Sequence, residues 1–133
     1  MSQGPPPVAI RAYWPEVYDF AFRASRVIRR VPFPLTISSW WRDARESRAL
    51  GSSSTSQHRV GLALDLQPRE RAAWPWRGAR FAPAWEAIIA AARAEGLVPV
   101  DERNKPNAPH IHVQYGPAGY VDRGLKAGKL IPV

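Results

Sequence analysis

Cysteine is absent from this 133-residue chain, so disulfide bonds, thiolate catalysis and zinc sites built on cysteine are excluded. No apolar run approaches the roughly 20 residues that cross a bilayer, and we expect no insertion into a membrane. The first residues, Met1 to Pro7, lack the basic and apolar regions of a secretion signal. We therefore predict that the protein has no signal peptide and is made in the cytoplasm.

Acidic residues are few compared with basic ones. The chain has 11 Asp and Glu against 19 Lys and Arg, which gives a formal net charge of +8. This charge favours polyanionic partners such as nucleic acid, an anionic membrane or the bacterial envelope. No nucleic-acid motif is present, and the aromatic residues are not interleaved with arginines as in a stacking groove. We therefore expect no nucleic-acid partner, and a basic nucleic-acid-binding protein is the weakest alternative.

The length suits one compact domain, which we expect to be a monomer. Residues 1–14 are rich in proline and predict an extended lead-in that can be disordered, followed by a single domain over 15–133. Apolar spacing predicts helices from Pro15 to Arg30 and from about Pro83 to Glu95. Strands are predicted at 35–41, 62–66, 97–100 and 110–114. This pattern is typical of an α+β fold with a small, mainly antiparallel sheet and the helices packed on one side.

Histidine is scarce as well, with three in the chain. His110 and His112 lie two apart on a predicted strand, so both side chains face one side of the sheet. His58 precedes Asp65 by seven residues, and Gly61 between them permits a tight turn. One carboxylate and two imidazoles are a common ligand set for catalytic zinc, which keeps a fourth position for water. From spacing alone, the alternative is a scatter of polar residues that serve turns and caps.

A longer motif surrounds these residues. The segment from Ser56 to Asp65 reads SQHRVGLALD and resembles the S-x-H-x-x-G-x-A-x-D pattern of the M15 zinc peptidases of bacteria and their phages. Downstream, His110 and His112 resemble the H-x-H segment of one subgroup of that family. Upstream, the segment from Ser38 to Arg42 resembles the S-x-x-R strand end that precedes the metal motif. The three blocks occur in the family's order and at approximately its spacing.

The resemblance implies roles for individual residues. It implies one zinc ion per chain, bound in an open groove of an M15-like fold by His58, Asp65 and His112. Arg42 would hold a carboxylate or carbonyl of the substrate, for which a guanidinium fork is well suited. The alternative for Arg42 is an exposed ion pair with Asp43 or Glu46. Ser56 would shape the substrate cleft, with a plain turn or cap as its alternative.

One departure from the family pattern concerns the general base. Many members carry an acidic residue three positions before the last histidine, but Asn107 and Pro109 stand at the corresponding positions here. His110 is then the expected acid/base residue, as in members with the H-x-H segment. Asp101 and Glu102, on the predicted loop before His110, are the reserve candidates. If none of them reaches the zinc-bound water, the protein would bind the cell wall without cutting it.

The family's activity implies the substrate. Its members include D-alanyl-D-alanine carboxypeptidases and phage L-alanyl-D-glutamate endopeptidases, so we expect a zinc metallopeptidase that hydrolyses the stem peptide of peptidoglycan. The charge of +8 suits that anionic wall. A phage-type endolysin or a wall-remodelling enzyme, acting after release from the cytoplasm or as a virion component, fits the absence of a visible signal. The main alternative is a non-catalytic, wall-binding member of the family.

Overall fold

The structure, a computed structural model, describes residues 13–53, 55–69, 82–105 and 109–129. Its elements include the predicted helices and strands in the predicted order, together with further short helices. They are α1 (Trp14–Arg30), β1 (Leu35–Ser39), α2 (Ala44–Ala49), a 3-10 helix (Gln57–Val60), β2 (Ala63–Pro68), α3 (Ala82–Ala94), β3 (Val98–Glu102), β4 (His110–Gln114) and α4 (Tyr120–Lys126). None of these helices has both the length and the apolar character needed to span a bilayer.

The four strands form one antiparallel sheet in the order β1-β2-β4-β3. Strands β2 and β4 therefore occupy its centre, and their register places Asp65 directly opposite His112. In the neighbouring pair, Glu102 of β3 lies opposite His110. An irregularity in β1 shifts the register so that Ser39 also pairs with Asp65. Polar side chains on adjacent strands thus form a row across the sheet, which consists of Ser39, Asp65, His112, His110 and Glu102.

Helices α1 and α3 cover one face of this sheet. The alternate residues Leu64 and Leu66 of β2, with Ile111 and Val113 of β4, are buried in the hydrophobic core. The helices contribute large buried side chains to the same core, among them Phe20, Val27, Trp85 and Ile88. Each such aliphatic or Phe side chain stabilises the fold by about 1.5–3 kcal/mol when fully buried. The predicted α+β fold with an antiparallel sheet is confirmed, and the polar row lies on the face opposite the long helices.

The first helix begins where the sequence supplies the appropriate signals. Pro15 occupies a first-turn position, Glu16 lies near the positive end of the helix dipole, and Arg29 and Arg30 lie in the last turn. Tyr13, immediately before the helix, is fully buried in the core. Residues 1–12 of the predicted proline-rich lead-in lie outside the described residues.

Strand β3 extends further than the sequence predicts. Asp101 and Glu102, which the sequence places in a loop, form the last two residues of the strand. Acidic residues have low strand propensity, but pairing with Ile111 and His110 of β4 supplies the backbone hydrogen bonds that hold them in the sheet. Because both residues lie in the strand, its alternation turns the two carboxylates to opposite faces of the sheet.

Candidate metal centre

The 3-10 helix places His58 on the polar face of the sheet. The hydroxyl of Ser56 accepts a hydrogen bond from the His58 backbone N–H at 3.2 Å, so Ser56 caps this short helix. Gly61 ends the helix in the left-handed backbone conformation, with φ of 77°. Residues that carry a Cβ atom rarely adopt this conformation. The chain then turns directly into β2. The tight turn predicted at Gly61 is confirmed, and it lets His58 lie above the strand that carries Asp65.

The three predicted metal ligands meet in space. His58 Nε2 lies 3.0 Å from Asp65 Oδ1, and His112 Nδ1 lies 3.3 Å from the same oxygen. One potential ligand atom from each residue falls within 4.8 Å of the other two. The His58 and Asp65 side chains are almost fully buried, and His112 is partly buried. This group could therefore hold a metal ion.

The hydrogen bonds of His58 test whether a cation fits. His58 Nδ1 lies 2.5 Å from the backbone carbonyl oxygen of Trp40, which can only accept, so Nδ1 carries the hydrogen. Burial lowers the pKa of His58 even though Asp65 opposes the shift, which favours the neutral ring. A neutral ring then directs the lone pair of Nε2 at the carboxylate. Two electron-pair donors facing each other need a cation between them, and an imidazole fixed by a carbonyl is typical of metal ligands.

Asp65 has the charge that a metal ligand requires. Burial alone would raise the pKa of Asp65, but the electrostatic interactions with the neighbouring imidazoles of His112 and His58 outweigh that effect and hold the pKa well below its usual range. The side chain is therefore an ionised carboxylate at neutral pH. A divalent cation would offset the cost of burying this charge.

Arg42 holds the other oxygen of Asp65. Its Nη2 donates to Asp65 Oδ2 at 2.7 Å and its Nε to the Ser39 hydroxyl at 2.9 Å, with 12% of the side chain exposed. The guanidinium thus pairs with the buried Asp65 and not, as the alternative from the sequence has it, in an exposed ion pair with Asp43 or Glu46. The Asp43 carboxylate instead caps α2 by accepting from the Glu46 backbone N–H. Arg42 thus orients the carboxylate so that Oδ1 faces the imidazoles.

His110 and Glu102 form a second polar pair beside the metal ligands. His110 Nε2 lies 3.1 Å from Glu102 Oε1 and 3.5 Å from Asp65 Oδ1. Lys105 contacts the second carboxylate oxygen of Glu102 at 2.7 Å. Asp101 pairs with Ile111 on the other face of β3 and bonds to Arg103 instead. Of the two reserve acids, Glu102 alone lies at the site.

Two groups that contact the predicted ligands were not predicted from the sequence. Gln114 Oε1 lies 2.7 Å from His112 Nε2, and it follows His112 by two residues, so strand periodicity could have placed it on the same face. The Trp40 carbonyl that holds His58 is a backbone group, for which side-chain identity gives no signal.

These residues line an open cleft of about 750 Å³. Its walls include all the predicted site residues, together with Glu102 and a polar rim that contains Ser38, Ser52 and Lys105. The cleft lies on the sheet face opposite the core, so it can admit an extended chain without disturbing the packed helices. Its chemistry is that of a polar groove with a ligand set for one metal ion at its base.

Comparisons with known proteins bear on the fold. No protein-family model matches the chain, and no curated protein sequence matches it significantly. Among solved structures, the fold is similar to the crystal structure of the Serratia marcescens L-Ala D-Glu endopeptidase ChiX. The TM-score is 0.50 and the sequence identity 24%, over 74% of this chain and 79% of that chain. At this identity the likeness shows a common fold.

Proposed function

We propose that this chain is a zinc-dependent peptidase that hydrolyses peptide bonds in the stem peptide of peptidoglycan. The observation that carries the proposal is the convergence of His58, Asp65 and His112 at the base of an open cleft. The fold shared with an L-Ala D-Glu endopeptidase supports the same conclusion. The resemblance of the sequence motifs to the M15 zinc peptidases supplies the identity of the metal and the substrate class.

His58, Asp65 and His112 would hold the zinc ion, and the set of two imidazoles and one carboxylate suits it while leaving a position for water. When bound, zinc would supply the positive charge that makes water a nucleophile near neutral pH and polarises a carbonyl group. The protein's own residues orient these ligands. The Trp40 carbonyl fixes the His58 ring, and Arg42 fixes the Asp65 carboxylate.

The substrate would lie along the cleft. Arg42 has five N–H donors, and the bonds to Asp65 and Ser39 leave others to bind a substrate carbonyl or carboxylate. Ser56, whose hydroxyl caps the 3-10 helix, lines the cleft wall and would contact the peptide. Proton transfer is assigned to the His110 and Glu102 pair beside the ligands.

We further propose a monomer that is made in the cytoplasm and reaches the wall as a phage-type endolysin, a virion component or a remodelling enzyme.

The test combines metal analysis with wall hydrolysis. Purified protein should carry about one zinc per chain and release new amino termini from peptidoglycan, and chelation should abolish the activity until zinc is restored. His58→Ala, Asp65→Asn and His112→Ala should each lose both the metal and the activity. The control is Asp122→Asn, an exposed carboxylate on α4 that should change neither.

Three results would contradict the proposal in different ways. A protein that neither retains nor responds to zinc would exclude the metallopeptidase. A protein that binds zinc and peptidoglycan without releasing amino termini would be the non-catalytic wall-binding alternative. Zinc-dependent hydrolysis of other peptides, with peptidoglycan untouched, would retain the chemistry and reject the substrate.

A further inference from the structure

The pair formed by Glu102 and His110 lies across strands β3 and β4, next to the metal ligands. Their register places them directly opposite each other, so the contact is built into the sheet. The exposed fractions of the two side chains are 23% for Glu102 and 10% for His110, and both line the cleft. The sequence assigns proton transfer to His110, but the hydrogen bonds of the pair favour Glu102.

Two carboxylate oxygens lie close to His110 Nε2. Glu102 Oε1 lies 3.1 Å away and Asp65 Oδ1 lies 3.5 Å away. Ionised carboxylates only accept hydrogen bonds, so Nε2 must be the nitrogen that carries a hydrogen. A ring nitrogen that already carries a hydrogen cannot take another from water. The nitrogen of His110 that faces the metal ligands is therefore a donor.

Glu102 has the acceptor capacity that the Nε2 nitrogen of His110 lacks. His110 contacts its Oε1 and Lys105 its Oε2, but each carboxylate oxygen has two lone pairs, so one on each remains for a water molecule. Burial alone would raise the pKa of Glu102, but Lys105 and His110 outweigh that effect and lower it, which keeps the group ionised at neutral pH. The two contacts also fix the orientation of the carboxylate within the cleft.

We propose that Glu102 is the catalytic base of the cleft and that His110 is a positioning residue, whose Nε2–H holds Glu102 Oε1. The proposal rests on the peptidase function proposed above. Glu102 accepts one proton from the attacking water as the water oxygen bonds to the scissile carbonyl carbon. The carbon–nitrogen bond then breaks, and the same proton passes to the leaving nitrogen, so Glu102 ends ionised. A carboxylate from β3 thereby replaces the acidic residue missing three positions before the last histidine.

The experiment compares two near-isosteric variants. Glu102→Gln keeps the size of the side chain but loses a basic oxygen, whereas His110→Gln keeps an N–H donor near the position of Nε2. We expect Glu102→Gln to lower kcat by about 10²–10⁴-fold, with zinc content and peptide affinity unchanged. His110→Gln should retain a kcat at least about tenfold higher than that of Glu102→Gln. Asp101→Asn, on the opposite face of the same strand, is the matched control and should match the wild type.

Zinc content and equilibrium binding of a stem peptide are measured for every variant, so loss of turnover is separated from loss of the metal or the fold. A kcat for Glu102→Gln within threefold of wild type would overturn the inference. An inactive His110→Gln that retains zinc would return proton transfer to His110. Loss of zinc from His110→Gln would make His110 a ligand and also reject the assignment. A wild-type protein without zinc-dependent hydrolysis refutes the proposed function itself, whereas the variant results bear on Glu102 alone.

Discussion

Replacement of Arg42 by lysine probes how the protein holds the Asp65 carboxylate. The guanidinium donates at once to Asp65 Oδ2 at 2.7 Å and to Ser39 Oγ at 2.9 Å. Lysine retains the positive charge but has a single nitrogen, so it cannot reproduce both bonds in their present directions. The substitution therefore removes an oriented contact while leaving the net charge of the site unchanged.

The burial of the pair determines the expected magnitude. The exposed fractions are 12% for the Arg42 side chain and 5% for that of Asp65, so solvent screens their interaction weakly. A hydrogen bond to a charged group contributes about 1.5–3 kcal/mol to stability. An exposed ion pair of the kind suggested by the sequence alone would contribute about 0–1 kcal/mol. Arg42→Lys should therefore lower the free energy of unfolding by about 1.5–3 kcal/mol, or Tm by roughly 5–12 °C.

Two measurements check this prediction. Urea unfolding of the metal-free protein reports the loss of stability, and a competition titration with a zinc chelator should show affinity reduced by about 10–100-fold, because Asp65 is less well oriented. Arg45→Lys, an exposed position on the neighbouring helix, is the control and should stay within about 0.5 kcal/mol of wild type. If Arg42→Lys unfolds and binds zinc as the wild type does, the orienting role of Arg42 is refuted.

Three further predictions concern the scaffold. Gly61→Ala should destabilise the protein by roughly 1–2 kcal/mol in urea unfolding, because φ at this position is 77°, and an unchanged midpoint would argue against a strained turn. Gln57→Ala should lower the free energy of unfolding by about 1–3 kcal/mol, since the Gly116 N–H loses its side-chain acceptor at 2.9 Å and the Gly116 carbonyl loses its amide donor at 2.7 Å; an unchanged midpoint in urea would refute this. Burial and the hydrogen bond to Asp19 raise the pKa of Tyr115 to about 12, above the value near 10 in an unfolded chain. The stability that this tyrosine contributes is therefore full below pH 10 and declines by up to about 1.4 kcal/mol per unit as the pH rises towards 12. Ultraviolet titration should detect a tyrosine that titrates near pH 12 and is absent in Tyr115→Phe.

Local patterns in the sequence determined the elements and the composition of the polar face. Period-two alternation around His110 and His112 separates them from Ile111 and Val113, and the structure places the apolar pair in the core and the histidines at the cleft. Apolar spacing and terminal signals likewise predicted α1 and α3 to within about one residue. Gly61 predicted the turn between His58 and β2. These features follow from interactions between residues close in the chain, which is why the sequence is sufficient for them.

Tertiary structure decided which groups meet across the sheet. Arg42 pairs with Asp65, 23 residues away, instead of its helical neighbours, because the irregular pairing of β1 with β2 brings Ser39 opposite that carboxylate. Glu102 reaches His110, and Asp101 does not, because β3 extends into the predicted loop and alternation turns one carboxylate to each face. Strand order and register depend on contacts distant in the chain, and shifting the pairing by a single residue would have exchanged the two acids.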